Sequence, residues 1–196
     1  MAFNEFIVEK IGMSRTVSVP SVPVTLLRVL DMKVCETYED GTALIAYPQG
    51  KKTNKPIQGQ QKKYELPEDF NKFVKLGAEN SEAGKDLNVE SLASAGIVQS
   101  TFFTKGRGFS GAIKRWGFAG GPKSHGSRFK RRVGSIGNAE FPGRVQKGQK
   151  MPGQYGNEKV SVKNDVVSFD AENRILVIKG SVSGANGKLG RIKVIK

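Results

Sequence analysis

The segment from Gly106 to Gly111 is the part of this sequence whose residue types and spacing most suggest chemistry. It satisfies the G-x-G-x-x-G spacing of dinucleotide-binding turns. Such a turn requires a helix directly after it and an acidic residue about 20 positions further on. Residues 112–122 contain three glycines and a proline, and Arg131 and Arg132 stand where the acid is required. The segment therefore does not predict a dinucleotide site, and without an H-R-D or D-F-G sequence it does not predict a kinase.

The same glycines favour a different chemistry, which is close contact with phosphate groups. Glycine has no Cβ, so backbone amides beside it can approach an anion closely. Here the glycines alternate with cations, of which Arg107 is the central one. Phosphate contact is thus the favoured interpretation, and a nucleotide-using enzyme at Gly106–Gly111 is an alternative that saturable nucleotide binding would reveal.

The other reactive side chains are few and do not form a catalytic set. One histidine, His125, and one cysteine, Cys35, cannot build a His/Cys zinc site without carboxylates. As a general base His125 would need a nucleophile or acid partner, and its neighbourhood is Gly, Ser and Lys, so contact with RNA is the favoured interpretation. The sequence predicts no catalytic residue, no metal site, no cofactor and no small-molecule substrate.

Charge is concentrated in one segment of the chain. Residues 101–150 contain twelve Lys and Arg but a single acid, Glu140, whereas residues 1–100 have a net charge of −1. A block without counter-charge is typical of a surface that binds a polyanion. Isolated aromatic residues lie among the cations, and RNA recognition combines stacking with phosphate pairing. A solvated basic segment is the alternative, and RNA binding is favoured.

The expected RNA contacts follow from this block. The sequence around Trp116 is equally consistent with packing in the barrel core and with stacking on an RNA base, and Trp116 is counted among the expected RNA contacts. The side chains expected to bind RNA are Lys105, Arg107, Lys114, Arg115, Trp116, Lys123, His125, Arg128, Lys130, Arg131, Arg132, Arg144, Lys147, Lys150 and Gln154.

The segments that flank the block must position it, and their patterns are those of short strands. Alternating or continuous apolar runs predict strands at 6–8, 22–30, 42–47, 159–163, 166–169, 174–179 and 189–195. The turn at residues 170–173 makes the strands on either side of it a hairpin. Strands at this spacing predict a small antiparallel barrel or sandwich. Apolar residues between about Phe118 and Tyr155 follow neither the 3.6-residue period of a helix nor the 2-residue period of a strand, so this stretch is predicted to be an extended loop.

The region before the block reads differently. Residues 49–64 are polar and rich in Lys and Gln, which predicts a loop or a mobile edge. Residues 67–77 open with Pro and two acids and end with Gly, which predicts a helix. A single cysteine, no apolar run of membrane length and no basic-then-apolar leader predict a soluble cytosolic protein without membrane contact.

An ordered series of motifs closely resembles the signature of large-subunit ribosomal protein L-three, the universal uL-three family. The motifs are Lys105–Phe118 (KGRGFSGAIKRWGF), Ser124-His125-Gly126, Gly134–Gly137 (GSIG), Pro142–Val145 (PGRV) and Met151–Asn157 (MPGQYGN). The resemblance is strong over 101–164, fair over 165–182 and poor over 49–100, and the length resembles the bacterial form. Gln99 and Phe102 depart from the signature. Glu140 stands where some members carry a methylated glutamine, so that modification is not expected.

The resemblance implies a mainly β fold, with a small closed antiparallel β-barrel of the translation-protein type, an α-containing insertion and a long extended basic loop. It implies one domain over 1–196, with the barrel from 1–48, 92–117 and 155–196, the insertion at 49–91 and the RNA-embedded loop at 118–154.

The implied function is that of a structural constituent of the large ribosomal subunit in the cytoplasm, without catalysis. The family binds large-subunit (23S) RNA near its 3′ end and supports early assembly. Its loop extends toward the peptidyl transferase centre, with Gly137, Asn138, Ala139 and Glu140 at the tip here. The implied neighbours are large-subunit proteins of the L-fourteen and L-nineteen types. A nucleoid-type protein that uses a basic arm is the alternative.

Overall fold

The computed structural model describes residues 4–50, 53–78 and 81–195. The strands are β1 Glu5–Arg15, β2 Pro23–Val29, β3 Lys33–Thr37, β4 Thr42–Pro48, β5 Phe70–Gly77, β6 Ile97–Phe103, β7 Phe109–Ser110, β8 Gly153–Gln154, β9 Lys159–Asp170, β10 Ile175–Lys179 and β11 Leu189–Val194. The helices are α1 Lys55–Lys63, α2 Glu90–Ala93 and α3 Ala112–Trp116. The predicted mainly β fold is confirmed.

Six strands close into an antiparallel barrel in the order β1-β11-β6-β9-β10-β2. Alternate residues of each strand face inward, and the largest of them, including Phe6, Leu27, Phe102 and Ile178, are fully buried. Closure pairs every barrel strand on both sides, so the barrel has no open edge. The hairpin predicted across residues 170–173 is the β9–β10 pair, whose Asp170 carboxylate accepts hydrogen bonds from the backbone N–H groups of Glu172 and Asn173.

Phe102 fits into the barrel because the residue that faces it has no side chain. Its ring is 1% exposed and lies against Gly190 of β11. A Cβ built on Gly190 would overlap the ring atoms of Phe102. A large residue at position 102, where this chain departs from the family signature, is therefore accommodated by the glycine on the neighbouring strand.

Strands β3, β4 and β5 form a separate three-stranded sheet rather than part of the barrel. The predicted strand at 42–47 is present as β4 but belongs to this sheet. One face of the sheet, with Ala43 and Ile45, packs on the barrel core. The other face, with Cys35, Ala46 and Phe70, packs against Tyr64 and Leu66, which follow α1. The sheet is thus buried on both faces.

The predicted helix at 67–77 is wrong, because Phe70–Gly77 is strand β5. Pairing with β4 along its length, including Phe73 opposite Ala46, outweighs the helical spacing of its apolar residues. The helix of this region is α1, inside residues 49–64 that were predicted to be a loop. The buried Gln61 holds it by donating to the carbonyls of Glu68 and Phe70. Lys51 and Lys52 of the predicted loop lie outside the described residues.

The chain divides into two compact units. One contains Met1–Phe103 and Lys159–Lys196, with the barrel and the three-stranded sheet, and the other is Thr104–Glu158. Within the described residues, no helix has the length and apolar character needed to cross a membrane.

We expect Gly190→Ala to lower the free energy of unfolding by about 1–3 kcal/mol, because its methyl group enters the space of the Phe102 ring. The matched control is Gly12→Ala on β1, where the nearest atom to the added Cβ is 3.8 Å away. Urea unfolding followed by circular dichroism measures both. The second variant Gly190→Ala/Phe102→Leu should recover part of the loss, and equal midpoints for the two single variants would contradict this packing.

Candidate nucleic-acid interface

The Thr104–Glu158 unit begins and ends as two paired arms. The backbone N–H of Thr104 donates to the carbonyl of Glu158 at 2.9 Å, and that of Arg107 donates to the carbonyl of Tyr155 at 2.8 Å. The Arg107 guanidinium also lies 5.0 Å from the centre of the Tyr155 ring. Gly156 has a φ of +74°, and a Cβ there would collide with the Lys105 carbonyl. Close approach of the two arms therefore requires glycine at position 156.

Helix α3 fixes two of the predicted RNA-binding side chains. It ends at Trp116, and Gly117 directly after it has a φ of +75°, the left-handed conformation common after a helix. Arg115 Nη1 and Trp116 Nε1 both donate to the carbonyl oxygen of Met151, at 3.0 and 2.8 Å. A Cβ at Gly153 would lie 2.6 Å from Arg115 Nη1. These two donors tie the helix to the returning segment.

Trp116 is held in place and yet remains accessible. It is 41% exposed and is no part of the barrel core. The guanidinium of Arg115 lies 4.8 Å from its ring centre, and Lys150 Nζ lies 5.7 Å away. An aromatic ring flanked by two cations is a stacking surface beside phosphate-binding groups.

Between Phe118 and Pro152 the described residues form turns and extended segments without helix or strand. The one close crossing joins Gly121 to residues 129 and 130, where the N–H of Gly121 donates to the carbonyl of Lys130 at 3.1 Å. A Cβ on Gly121 would lie 2.6 Å from the Phe129 carbonyl oxygen. His125 lies in the turn within this crossing, exposed, with a φ of +55°.

The segment predicted to be the loop tip is exposed. Residues 137–140 have no buried side chain, and Phe141 beside them is 86% exposed. The Ser135 hydroxyl donates to the carbonyl of Gly137 at 3.0 Å. A shallow pocket of about 230 Å³ lies here, lined by residues that include Ile136, Asn138 and Arg144.

The cations of this unit have no acidic partners. The unit contains twelve Lys and Arg but only two acids, Glu140 and Glu158. All the ion pairs found among the described residues lie in the other unit. Every predicted RNA-binding side chain is exposed except Arg115, which is half-buried. Ser110 and Ala112 are the buried residues of this unit. It is therefore a positively charged surface without an apolar core.

The structure brings together some of the predicted residues and separates others. Arg115, Trp116 and Lys150 form one cluster, and Arg107 stands with Tyr155, whereas the cations at 123–132 and 144–147 lie along the extended segments. The carbonyl of Met151, which anchors the cluster, could not be found from residue types because its role comes from the backbone. Cys35 lies in the other unit, where burial raises the pKa of its thiol. Among the described residues, no three His, Cys, Asp or Glu side chains are arranged to hold a metal.

Comparison with known proteins gives a consistent result. The profile of a family described as "Ribosomal protein L3" matches residues 23–168. The chain is 66% identical to the large ribosomal subunit protein uL3 of Wolinella succinogenes over 192 residues, which cover 98% of this chain and 100% of the relative. It is 61% identical to the protein of that name from Campylobacter jejuni, with the same coverage. The identity with the Thermotoga maritima protein is 43%, covering 95% of each chain.

Limited digestion of the free protein with trypsin tests the described difference between the two units. We expect the first cuts in the extended segments, which are exposed and have no strand partners, rather than in β9 or β10. The sites expected to be cut first are Lys123, Arg128, Lys130, Arg131, Arg132, Arg144, Lys147 and Lys150. Lys163 and Lys179, which lie in paired strands, are the internal controls. Mass spectrometry of the early fragments gives the order of cleavage. Early cleavage at Lys163 or Lys179 would contradict the expected difference between extended segments and paired strands.

Proposed function

The chain belongs to the ribosomal protein L3 family, and we propose that it binds 23S ribosomal RNA near the 3′ end of that molecule and that the exposed cations of its Thr104–Glu158 unit contact this RNA. As a member of this family, the protein is a structural constituent of the large ribosomal subunit and lies on the ribosome in the bacterial cytoplasm. It associates there with ribosomal RNA and with other proteins of the subunit.

One observation carries the proposal, which is the absence of counter-charge around exposed cations. The twelve Lys and Arg of the unit have no carboxylate partner among the described residues. RNA phosphates supply that counter-charge, and their binding releases condensed ions. The proposed contacts are the cations predicted from the sequence, together with Trp116, His125 and Gln154.

The energetics of the unit support an ordering role for RNA. Fixing one residue of backbone costs about 1–2 kcal/mol, and an apolar core normally offsets this cost. Residues 118–152 contain no buried side chain, so apolar burial contributes little to their order. Phosphate pairing and stacking on Trp116 would offset the cost when the protein is on the subunit. We therefore expect the unit to be ordered by the RNA that it binds.

The finer role of the tip follows from the family resemblance and from its exposure. We propose that residues 137–140 extend toward the peptidyl transferase centre and that the protein acts early in subunit assembly. Neighbouring proteins of the L-fourteen and L-nineteen types would contact it. The tip contains Glu140 but no paired base and nucleophile, so its proposed effect on the centre is positional.

We expect Arg131→Gln/Arg132→Gln to reduce the salt dependence of RNA binding. Each lost phosphate contact reduces the magnitude of the negative slope of log affinity against log salt by about 0.7–0.9, so the pair should reduce it by about 1.4–1.8. Arg15→Gln/Arg28→Gln, which removes two exposed arginines from β1 and β2, is the matched control and should leave the slope unchanged. The measurement is affinity for a 3′ fragment of 23S RNA at several salt concentrations. Equal slopes for both variants would refute the proposed role of the unit.

We expect Glu140→Lys, and to a smaller extent Glu140→Gln, to change sensitivity to drugs that bind the peptidyl transferase centre. The reason is that a change of charge at the tip alters the potential near the drug site while leaving the barrel intact. Inhibitory concentrations in a strain that depends on the variant measure the effect, and sucrose gradients follow assembly. Glu158→Gln, the same charge change in the arms, is the control. Unchanged drug response and unchanged peptide-bond formation in both Glu140 variants would show that the tip does not affect the peptidyl transferase centre.

A further inference from the structure

The loop between β10 and β11 contains a dipeptide that can react with itself. Of the ten asparagines in the chain, Asn186 is the one that a glycine follows. In an Asn-Gly pair the backbone nitrogen of the glycine can attack the side-chain amide carbon, because glycine has no Cβ to obstruct the approach. The N–Cγ bond forms as the Cγ–Nδ2 bond breaks, and the amide nitrogen takes the N–H proton and leaves as ammonia. Water then opens the cyclic imide to aspartate or isoaspartate.

The turn that holds this pair requires its glycine. The backbone N–H of Lys188 donates to the carbonyl of Ala185 at 3.3 Å, and Gly187 at the third position of the turn has a φ of +74°. A positive φ at that position is characteristic of a type II turn, and glycine adopts it without strain. Asn186 and Gly187 are both exposed, so water reaches the pair. The reactive dipeptide is therefore built into the connection between the last two strands of the barrel.

The fold withholds the attacking nitrogen. The N–H of Gly187 donates to the carbonyl of Lys10 on β1 at 2.7 Å, and the N–H of Lys10 donates to the carbonyl of Lys188 at 3.1 Å. The attack requires the N–H of Gly187 to lose its proton, and a hydrogen bond from this group to a carbonyl opposes that loss. Deamidation therefore requires the loop to leave β1 first.

The side chain of Lys10 holds the same loop. Lys10 is 6% exposed, and its Nζ donates to the carbonyls of Val182 and Gly184 at 2.7 and 3.2 Å. Hydrogen bonds from an ammonium are stronger than those between neutral groups, and a buried ammonium that loses its acceptors is costly. Opening of the loop breaks these contacts together with the two backbone hydrogen bonds. The reactivity of the loop is thus coupled to its contact with β1.

We propose that Asn186 is a deamidation site that the closed barrel protects, and that its isoaspartate product hinders closure of the barrel. The product adds one backbone atom to the turn and a carboxylate near Glu9, whose Oε1 lies 3.8 Å from a Cβ built on Gly187. A longer turn and repulsion between two carboxylates both oppose the pairing of Glu9 with Leu189. Asn186 therefore records how long a chain has spent with its barrel open, and this record is independent of RNA binding.

Ageing of the full-length protein in buffer tests the protection, with a synthetic peptide of residues 180–188 as the open reference. Mass spectrometry follows the tryptic peptide of the same residues, whose mass rises as the amide becomes an acid. We expect Asn186 to react about 10-fold or more slowly in the folded protein than in the peptide, because a loop bound to a strand is open in a small fraction of molecules. Equal rates would overturn the proposal.

Asn138 is the internal control for this comparison. It is exposed and is followed by alanine, and the residues around it have no strand partner. We expect its rate to be the same in the folded protein and in a peptide of residues 133–144. Protection of Asn138 equal to that of Asn186 would overturn the proposal, because the protection would then not come from the contact with β1.

Lys10→Met removes the ammonium and keeps a side chain of similar length. We expect it to raise the rate at Asn186 in the folded protein by about 10- to 150-fold, the range for loss of a hydrogen bond to a charged group, with the rate of the peptide as the ceiling. The matched control is Arg15→Met, an exposed position of β1 that pairs with β2 rather than β11. Circular dichroism melting checks that both variants fold. Equal rates in the two folded variants would overturn the proposal.

Hydrogen exchange in the unaltered protein tests the same contact, including the case in which Lys10→Met does not fold. Nuclear magnetic resonance measures the exchange of the Gly187 amide directly. We expect this amide to exchange about 10-fold or more slowly than in the 180–188 peptide, and the exposed Ala139 amide to exchange at the rate of its own peptide. Exchange of Gly187 at the peptide rate would overturn the proposal.

The effect of the product on closure is tested with aged chains. The protein is held unfolded in guanidinium chloride for increasing times and diluted, and circular dichroism measures the refolded fraction. We expect this fraction to fall as the deamidated fraction at Asn186 rises. Asn186→Ser, which forms no imide, should refold in full after the same times. Equal refolding yields and equal urea midpoints for isoaspartate chains and Asn186→Ser would overturn the proposed effect on closure.

Discussion

Unneutralised positive charge is the constraint on which the rest of this structure depends. The twelve cations of Thr104–Glu158 repel one another, the unit's two carboxylates neutralise little of that charge, and no apolar core opposes the repulsion. In the proposed complex, RNA supplies the counter-charge and the surface that this extended, glycine-rich unit lacks. The other unit is stabilised within itself. It contains a closed barrel, a sheet buried on both faces and all of the ion pairs found in the described chain.

The barrel register determines where the basic segment begins and ends. Strands β6 and β9 are neighbours, and Phe103 lies opposite Lys159, so the two arms start side by side. The backbone N–H of Thr104 then donates to the Glu158 carbonyl, and the N–H of Glu158 donates to the Thr104 hydroxyl, which continues the pairing. Glycine at position 156 permits the close contact of the arms, and the Met151 carbonyl holds α3. The Thr104–Glu158 segment has no apolar core, and backbone contacts near its two ends organise it instead. Most of its cationic side chains are left exposed.

Sequence patterns predicted the fold where local alternation and burial agree. The strand at 159–163 and the hairpin around 170–173 were found because their apolar residues alternate and a turn separates them. The prediction of a helix at 67–77 was wrong because the spacing of the apolar residues suits both a helix and a strand. Pairing with β4 selects the strand. Helix α1 was not predicted because it has no apolar stripe. The buried Gln61 holds it by hydrogen bonds instead. For the site, cations and aromatics were visible as residue types, whereas the Met151 carbonyl and the glycine crossings depend on backbone geometry.

The pairing of β1 with β11 has a consequence for how the protein is made. The barrel closes through Glu5 opposite Lys193, which joins its first strand to its last. During synthesis the basic segment leaves the ribosome before β9, β10 and β11 exist, so it is exposed to cellular polyanions while the barrel is still open. Contacts between such distant parts of a chain form slowly. A nascent chain therefore passes through an interval in which its basic segment is complete while the barrel is not yet closed.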